Sequence, residues 1–179
     1  MNMSKIERGV SLILEGIGVD LRDRNFLETP ERVARFYQEM FGRKEQEWAT
    51  FPEEFTDFVL LRDHLMYSLC PHHLLPVEFN VSVAYVPNGE VLGLSKLARV
   101  LEECNSRPLL QERFTKDVTT KIDDICKGTL GAACLIEGVH GCTKIRGVRT
   151  GAKFITYHLE GVFKEDPTME KRFFELVRR

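Results

Sequence analysis

Long apolar runs are missing from this 179-residue sequence, and with them any segment expected to span a bilayer as a helix. Net charge is nearly missing too: 25 Lys and Arg against 27 Asp and Glu leave −2. That balance argues against a protein whose main partner is nucleic acid or a membrane surface. No Cys-x-x-Cys pair occurs among the five cysteines, at positions 70, 104, 126, 134 and 142. An odd number without that pairing fits a reducing cytoplasm, with thiols free or on a metal. Cys104, Cys126 and Cys134 sit among apolar neighbours and read as small core residues. The opening Met1-Asn-Met-Ser-Lys-Ile-Glu-Arg8 is too polar and too soon charged for a secretory signal. There is no internal repeat, low-complexity tract or long linker, so one compact unit is expected, long enough to bury a core unaided.

What is present has a clear order. Ser4-x-x-Glu7 has the form of a capping box, followed by Ile6, Val10, Ile13, Leu14 and Ile17 at helical spacing. Thr29-Pro30 opens a second helix, as cap and first-turn proline, which ends near Gly42. The texture changes after about residue 56, so an N-terminal helical segment is expected over 1–55 and the rest of the fold over 56–179. Phe79, Val81, Val83 and Tyr85 alternate with Asn80, Ser82 and Ala84, the pattern of a half-buried strand. Pro87-Asn88-Gly89 predicts a hairpin turn into a strand over 91–94. Ser95 is suited to cap a helix carrying Leu97, Val100, Leu101 and Cys104. Another helix follows Pro108, with Leu110, Phe114, Val118, Ile122 and Ile125 on one face, and stops at Gly128. Strands over roughly 132–137 and 154–160 come next, then a last helix from Asp166-Pro167. Paired strands, paired helices and paired strands predict an α+β fold, an antiparallel sheet with helices on one face, its strand order left open.

Three of the five histidines fall in two windows that also hold cysteine, Cys70-Pro-His72-His73 and His140-Gly-Cys142. Thiolate and imidazole are the protein ligands zinc prefers. Cys70 and His73, three apart, can converge from one turn, while His72 points elsewhere. His140 and Cys142, two apart, would face one side of a strand. A lone Cys-x-x-His is more often core than ligand, by roughly three to one, and the second window moves that balance toward metal. Spacing leaves open whether the site is a closed Cys2His2 structural shell or a three-ligand catalytic one with a free position. Basic residues gather in mid-chain, Lys96 and Arg99 after Ser95, then Arg146 and Arg149. Ser95 and Arg99 lie one turn apart beside a helix N-terminus, which favours phosphate, although each residue alone reads as solvated surface. Glu112 in a first turn is ordinary dipole compensation.

The residues also resemble a known family. Cys70-x-His-His-Leu-Leu-Pro, Val83-Ala-Tyr-Val-Pro-Asn-Gly, Gly93-Leu-Ser-Lys-Leu-Ala-Arg99, Arg107-Pro-x-x-Gln-Glu-Arg-x-Thr115 and His140-x-Cys-x-x-x-Arg-Gly-Val148 are similar to the motifs of GTP cyclohydrolase I, in its order and spacing. Glu28-Thr-Pro-Glu-Arg32 and Glu160-Gly-Val-Phe163 resemble flanking family segments. The resemblance implies the tunnelling fold (T-fold), an antiparallel sheet backed by a helix pair. It also implies a toroidal homo-oligomer, a decamer of two pentamers with active sites between subunits. It implies zinc held by Cys70, His73 and Cys142, with His72 and His140 catalytic. Glu112 would grip the guanine of GTP, Gln111 would also contact the substrate, and Arg32, Ser95, Lys96, Arg99 and Arg146 would hold its triphosphate. Where family members commonly carry glutamate after the first cysteine, this chain has Pro71. That removes a carboxylate beside the expected metal and stiffens the turn. Rival readings are another T-fold enzyme acting on a pterin or deazapurine, and a non-catalytic purine binder with structural zinc. Neither uses a Cys/His/Cys set flanked by two free histidines as well.

Overall fold

The computed structural model describes residues 1–42 and 46–178, and its Cα framework divides into two compact units, Met1–Lys44 and Glu45–Arg179. The first unit is a helix pair, α1 (Met3–Gly16) and α2 (Thr29–Phe41). The expected capping box is replaced by a nearer acceptor. Asn2 caps α1 by taking the Lys5 N–H, so Ser4 is already inside the helix. In α2, Thr29 is likewise the first helical residue rather than the cap, with Pro30 behind it, where a missing N–H costs nothing.

The second unit is built on a four-stranded antiparallel sheet, ordered β2 (Val59–Leu69), β3 (Pro76–Val86), β5 (Gly131–His140) and β6 (Phe154–Leu159). The helices α3 (Leu94–Cys104) and α4 (Gln111–Ile125) lie between the two strand pairs in sequence, and they cover one face of the sheet. Apolar side chains at every second position of β3, Val77 to Tyr85, meet Leu97, Val100 and Leu101 of α3 and Phe114, Val118 and Ile122 of α4. The 2-residue strand period and the near-4 helix period thus bury one seam from both sides. Phe79 stacks on Phe114 with ring centroids 5.7 Å apart. Both are fully buried, so Phe114→Ala is expected to lower unfolding free energy by about 3–5 kcal/mol, read as a fall in the thermal midpoint. A midpoint unchanged from the parent would mean that this seam is not the core.

Three expectations change here. The strand around residue 80 is not half-buried throughout. Ser82, Ala84 and Val86 are buried on its second face, because Phe163 of α6 (Val162–Glu165) and Phe173 of α7 (Pro167–Val177) pack there. Asp166 caps α7 by accepting from Thr168 N–H, as the Asp-Pro pair predicts. The turn at Asn88-Gly89 forms, with Gly89 at φ 79, yet the strand after it, β4 (Glu90–Leu92), does not return along β3. It pairs instead with β1 (Thr50–Pro52), in a separate two-stranded sheet, and its Leu92 N–H donates to the buried Tyr85 hydroxyl at 2.7 Å. Finally, Gly93 and not Ser95 is the N-cap of α3, and no side chain caps it. Among the described residues no helix is long and apolar enough to cross a membrane.

Candidate metal and catalytic site

The connection between β2 and β3 is a tight turn that starts at Cys70. Leu75 O accepts from Cys70 N–H at 2.9 Å, and Cys70 O accepts from Leu74 N–H at 2.8 Å. Leu74 completes the turn at φ 53, a conformation uncommon for a branched residue. This folds residues 72 and 73 back over the buried Cys70 sulfur, leaving both His72 and His73 Nδ1 atoms 3.8 Å from it. The other half of the site comes from β5. That strand ends at His140, opposite Val77, and Cys142 stands on the one-turn helix α5 (Gly141–Lys144). His140 and Cys142 therefore do not share a strand face, as a two-residue spacing predicts. Gly141 allows the break, since a Cβ there would lie 2.7 Å from Pro76 O. Breaking the strand turns Cys142 toward Cys70 and leaves His140 behind.

The outcome is a group of three. Donor atoms of Cys70, His73 and Cys142 lie within 4.8 Å of one another, the one such group of His, Cys, Asp or Glu among the described residues. Ligand atoms around a tetrahedral zinc are about 3.5–3.8 Å apart at ordinary bond lengths. The 3.8 Å between Cys70 Sγ and His73 Nδ1 already matches that edge, and two thiols with one imidazole are a zinc donor set. Burial and then the neighbouring Cys70 push the Cys142 thiol above its usual pKa. A divalent cation reverses that preference by stabilising both thiolates. The remaining cysteines lie outside the group. All five are free, burial drives Cys104 up to about 12, and Cys134, fully buried, is also raised.

His140 is outside this group and held by other contacts. Its Nε2 lies 2.8 Å from Gln111 Oε1, and its ring meets Phe79 and Phe154 edge-on, at 5.9 and 5.6 Å between centroids. Burial lowers its pKa from the ordinary value, while the Glu112 carboxylate pulls it back up. Glu112 itself is exposed, in the first turn of α4 beside Gln111. Gln111 departs from expectation as a substrate contact, because its side chain is buried and engaged inside the protein. Helix phase carries that signal in the sequence: Gln111 shares a face with Phe114, Thr115, Val118 and Ile122, all buried.

Within the second unit the expected phosphate ligands are dispersed. Arg146 is exposed and its guanidinium donates to His73 Nε2. Ser95, Lys96 and Arg99 belong to α3, where Lys96 donates to Glu47 O and Arg99 to Gln46 Oε1. The α3 N-terminus follows β4 beyond the Val86 end of β3, whereas the Cys/His/Cys group lies beyond its Pro76 end. The C-terminal end of α3 is the end nearer the group, where the C-cap Asn105 donates to Tyr67 O at 2.8 Å. Arg32 is in the first unit, on α2, paired with Glu28 one turn away.

Comparison with known proteins agrees with this chemistry. The GTP cyclohydrolase I family model matches residues 6–178. A GTP cyclohydrolase 1 of Clostridium perfringens is 41% identical over 183 residues, covering 99% of this chain and 98% of that protein. Those of Rhodopirellula baltica and Bacillus subtilis are 40% and 39% identical, covering all of this chain and 80% and 97% of theirs. Among solved structures, an archaeosine synthase QueF-Like in the apo form aligns with a TM-score of 0.50 at 19% identity, over 60% of this chain and 97% of its own. That likeness speaks for the shared fold alone. Matched over nearly its whole length by sequence, and with the family's cysteine and histidine motifs converging in space, the chain belongs to the GTP cyclohydrolase I family.

Proposed function

We propose that this chain is a zinc-dependent GTP cyclohydrolase I, which opens the imidazole ring of GTP at C8, releases formate and forms 7,8-dihydroneopterin triphosphate. The observation that carries the reading is the division of labour among four side chains. Cys70, His73 and Cys142 converge as one donor group, while His140 keeps a separate partner. Three ligands leave a fourth position free, the arrangement of catalytic rather than structural zinc. When bound, zinc supplies Lewis acidity that makes water a competent nucleophile near neutral pH. His140 and His72 then move protons during ring opening and the second hydrolysis, work suited to imidazole. Glu112 holds guanine, its carboxylate accepting from N1–H and the exocyclic amine, next to His140.

Arg146, beside the donor group, offers a permanently charged fork to phosphate oxygens. Ser95, Lys96, Arg99 and Arg32 hold the triphosphate as well, but from another copy of the chain. The direction of α3 supports this, since Ser95, Lys96 and Arg99 lie toward its N-terminus, the end away from Cys70 and Cys142. A toroidal homo-oligomer, a decamer of two pentameric rings around a tunnel, puts such elements side by side. Five free cysteines favour a reducing cytoplasm as its location.

Metal content read together with turnover tests the reading. Cys70→Ser and Cys142→Ser are each expected to lose zinc, from about one ion per chain, and GTP turnover with it. A variant of either cysteine that kept full zinc and full activity would contradict the ligand set.

A further inference from the structure

The Gln111 side chain, 4% exposed for the residue as a whole, has no face left for a ligand. Its amide nitrogen lies 3.1 Å from Ile136 O, 2.8 Å from Phe154 O and 3.1 Å from Thr156 Oγ1. The two carbonyl oxygens can only accept. The hydroxyl is oriented by its own neighbours. Thr115 Oγ1 donates its single proton to Gln111 O at 2.8 Å, so in the 2.6 Å contact between the two threonines Thr156 is the donor. Its lone pairs are left facing the Gln111 amide nitrogen. A flipped amide would set Oε1 against two carbonyl oxygens inside the protein, leaving buried acceptors without donors. The orientation of the amide is thus fixed by its surroundings.

Oε1 in turn can only accept, and it lies 2.8 Å from His140 Nε2. That nitrogen must carry a hydrogen. From this geometry we infer that Gln111 is a positioning residue that locks His140 in the Nε2–H tautomer, so that His140 exchanges its catalytic proton at Nδ1. The inference rests on the reading of His140 as the general acid–base. As base, the Nδ1 lone pair takes a proton from water or substrate. As acid, the same nitrogen returns it, and Nε2–H stays bonded to Gln111 throughout. The edge-on rings of Phe79 and Phe154 oppose rotation of the imidazole. Gly138 keeps the contact open, since a Cβ there would sit 2.2 Å from Gln111 Oε1 and 3.1 Å from His140 Nε2.

The test reads the tautomer directly. Solid-state 15N spectra of histidine-labelled protein, with His140 assigned by difference against His140→Asn, are recorded where the ring is neutral. Nε2 is expected to give the protonated type of signal and Nδ1 the unprotonated type. The reverse assignment, or an even mixture, would overturn the inference. Gln111→Met supplies a second reading: zinc is retained, kcat falls about 10–100-fold, and KM for GTP stays within about twofold. A raised KM with unchanged kcat would show Gln111 gripping the substrate and sink the positioning role. If that variant does not fold, the spectrum of the unmutated protein still decides. The spectrum needs no turnover, so an Nε2–H tautomer in a protein that released no formate would reject the function and leave this inference standing.

Discussion

Glu112→Ala is expected to abolish the preference for GTP over ATP, a discrimination of about 10⁴-fold or more in kcat/KM. The first turn of α4 presents two polar side chains in different directions. Gln111 turns into the protein, and Glu112 is left exposed, close enough to His140 for its charge to offset part of the lowering that burial imposes on that residue's pKa. A carboxylate accepts two parallel hydrogen bonds, and guanine offers two donors on one edge. Adenine offers a bare ring nitrogen there, which would face the carboxylate lone pair to lone pair. Sites built on such polar pairs reject the mismatched ligand strongly because their own groups go unpaired. Steady-state kinetics with both nucleotides check this. Comparable turnover of ATP by the unmutated protein would remove Glu112 from its role.

The second large effect is at His140. His140→Ala is expected to keep about one zinc per chain and a thermal midpoint near the parent's, while turnover falls about 10²–10⁴-fold. The structural ground is that the donor group closes without His140, whose Nε2 is already committed to Gln111. A fourth ligand in a closed shell would behave otherwise, because structural zinc contributes folding energy directly. Zinc content and thermal midpoint of the purified variant separate the two. A zinc-free, destabilised protein would make His140 a ligand.

The helix pair and the strand pair after it were legible, and so was β3, because β3 and α4 each carry one clean period, at Phe79 to Tyr85 and at Phe114 to Ile122. The first strand pair was misread, since β3 pairs there with β2 and not with the strand after Asn88-Gly89. β2 was not legible, for a local reason. Its alternation breaks between Leu61 and His64, where the register shifts and Asp63 adopts φ 58, so polar Arg62, Asp63 and His64 interrupt the pattern. The partner of β4 was equally hidden, since a turn fixes local reversal but not which edge is free to pair. At the site, residue type was legible and direction was not. Spacing alone put His140 and Cys142 on one strand face, and only the close approach of Gly141 to Pro76 O reveals why the strand ends between them. Gln111 was found through its motif, yet its burial was written in helix phase, which outweighs motif position as a guide to where a side chain points.

Formate release from GTP by the purified protein is the most direct measurement of the central claim. The expected result is one formate for each dihydroneopterin triphosphate, abolished when zinc is chelated and restored when it is returned. GTP left intact by the zinc-loaded protein, or consumed without formate, would contradict it.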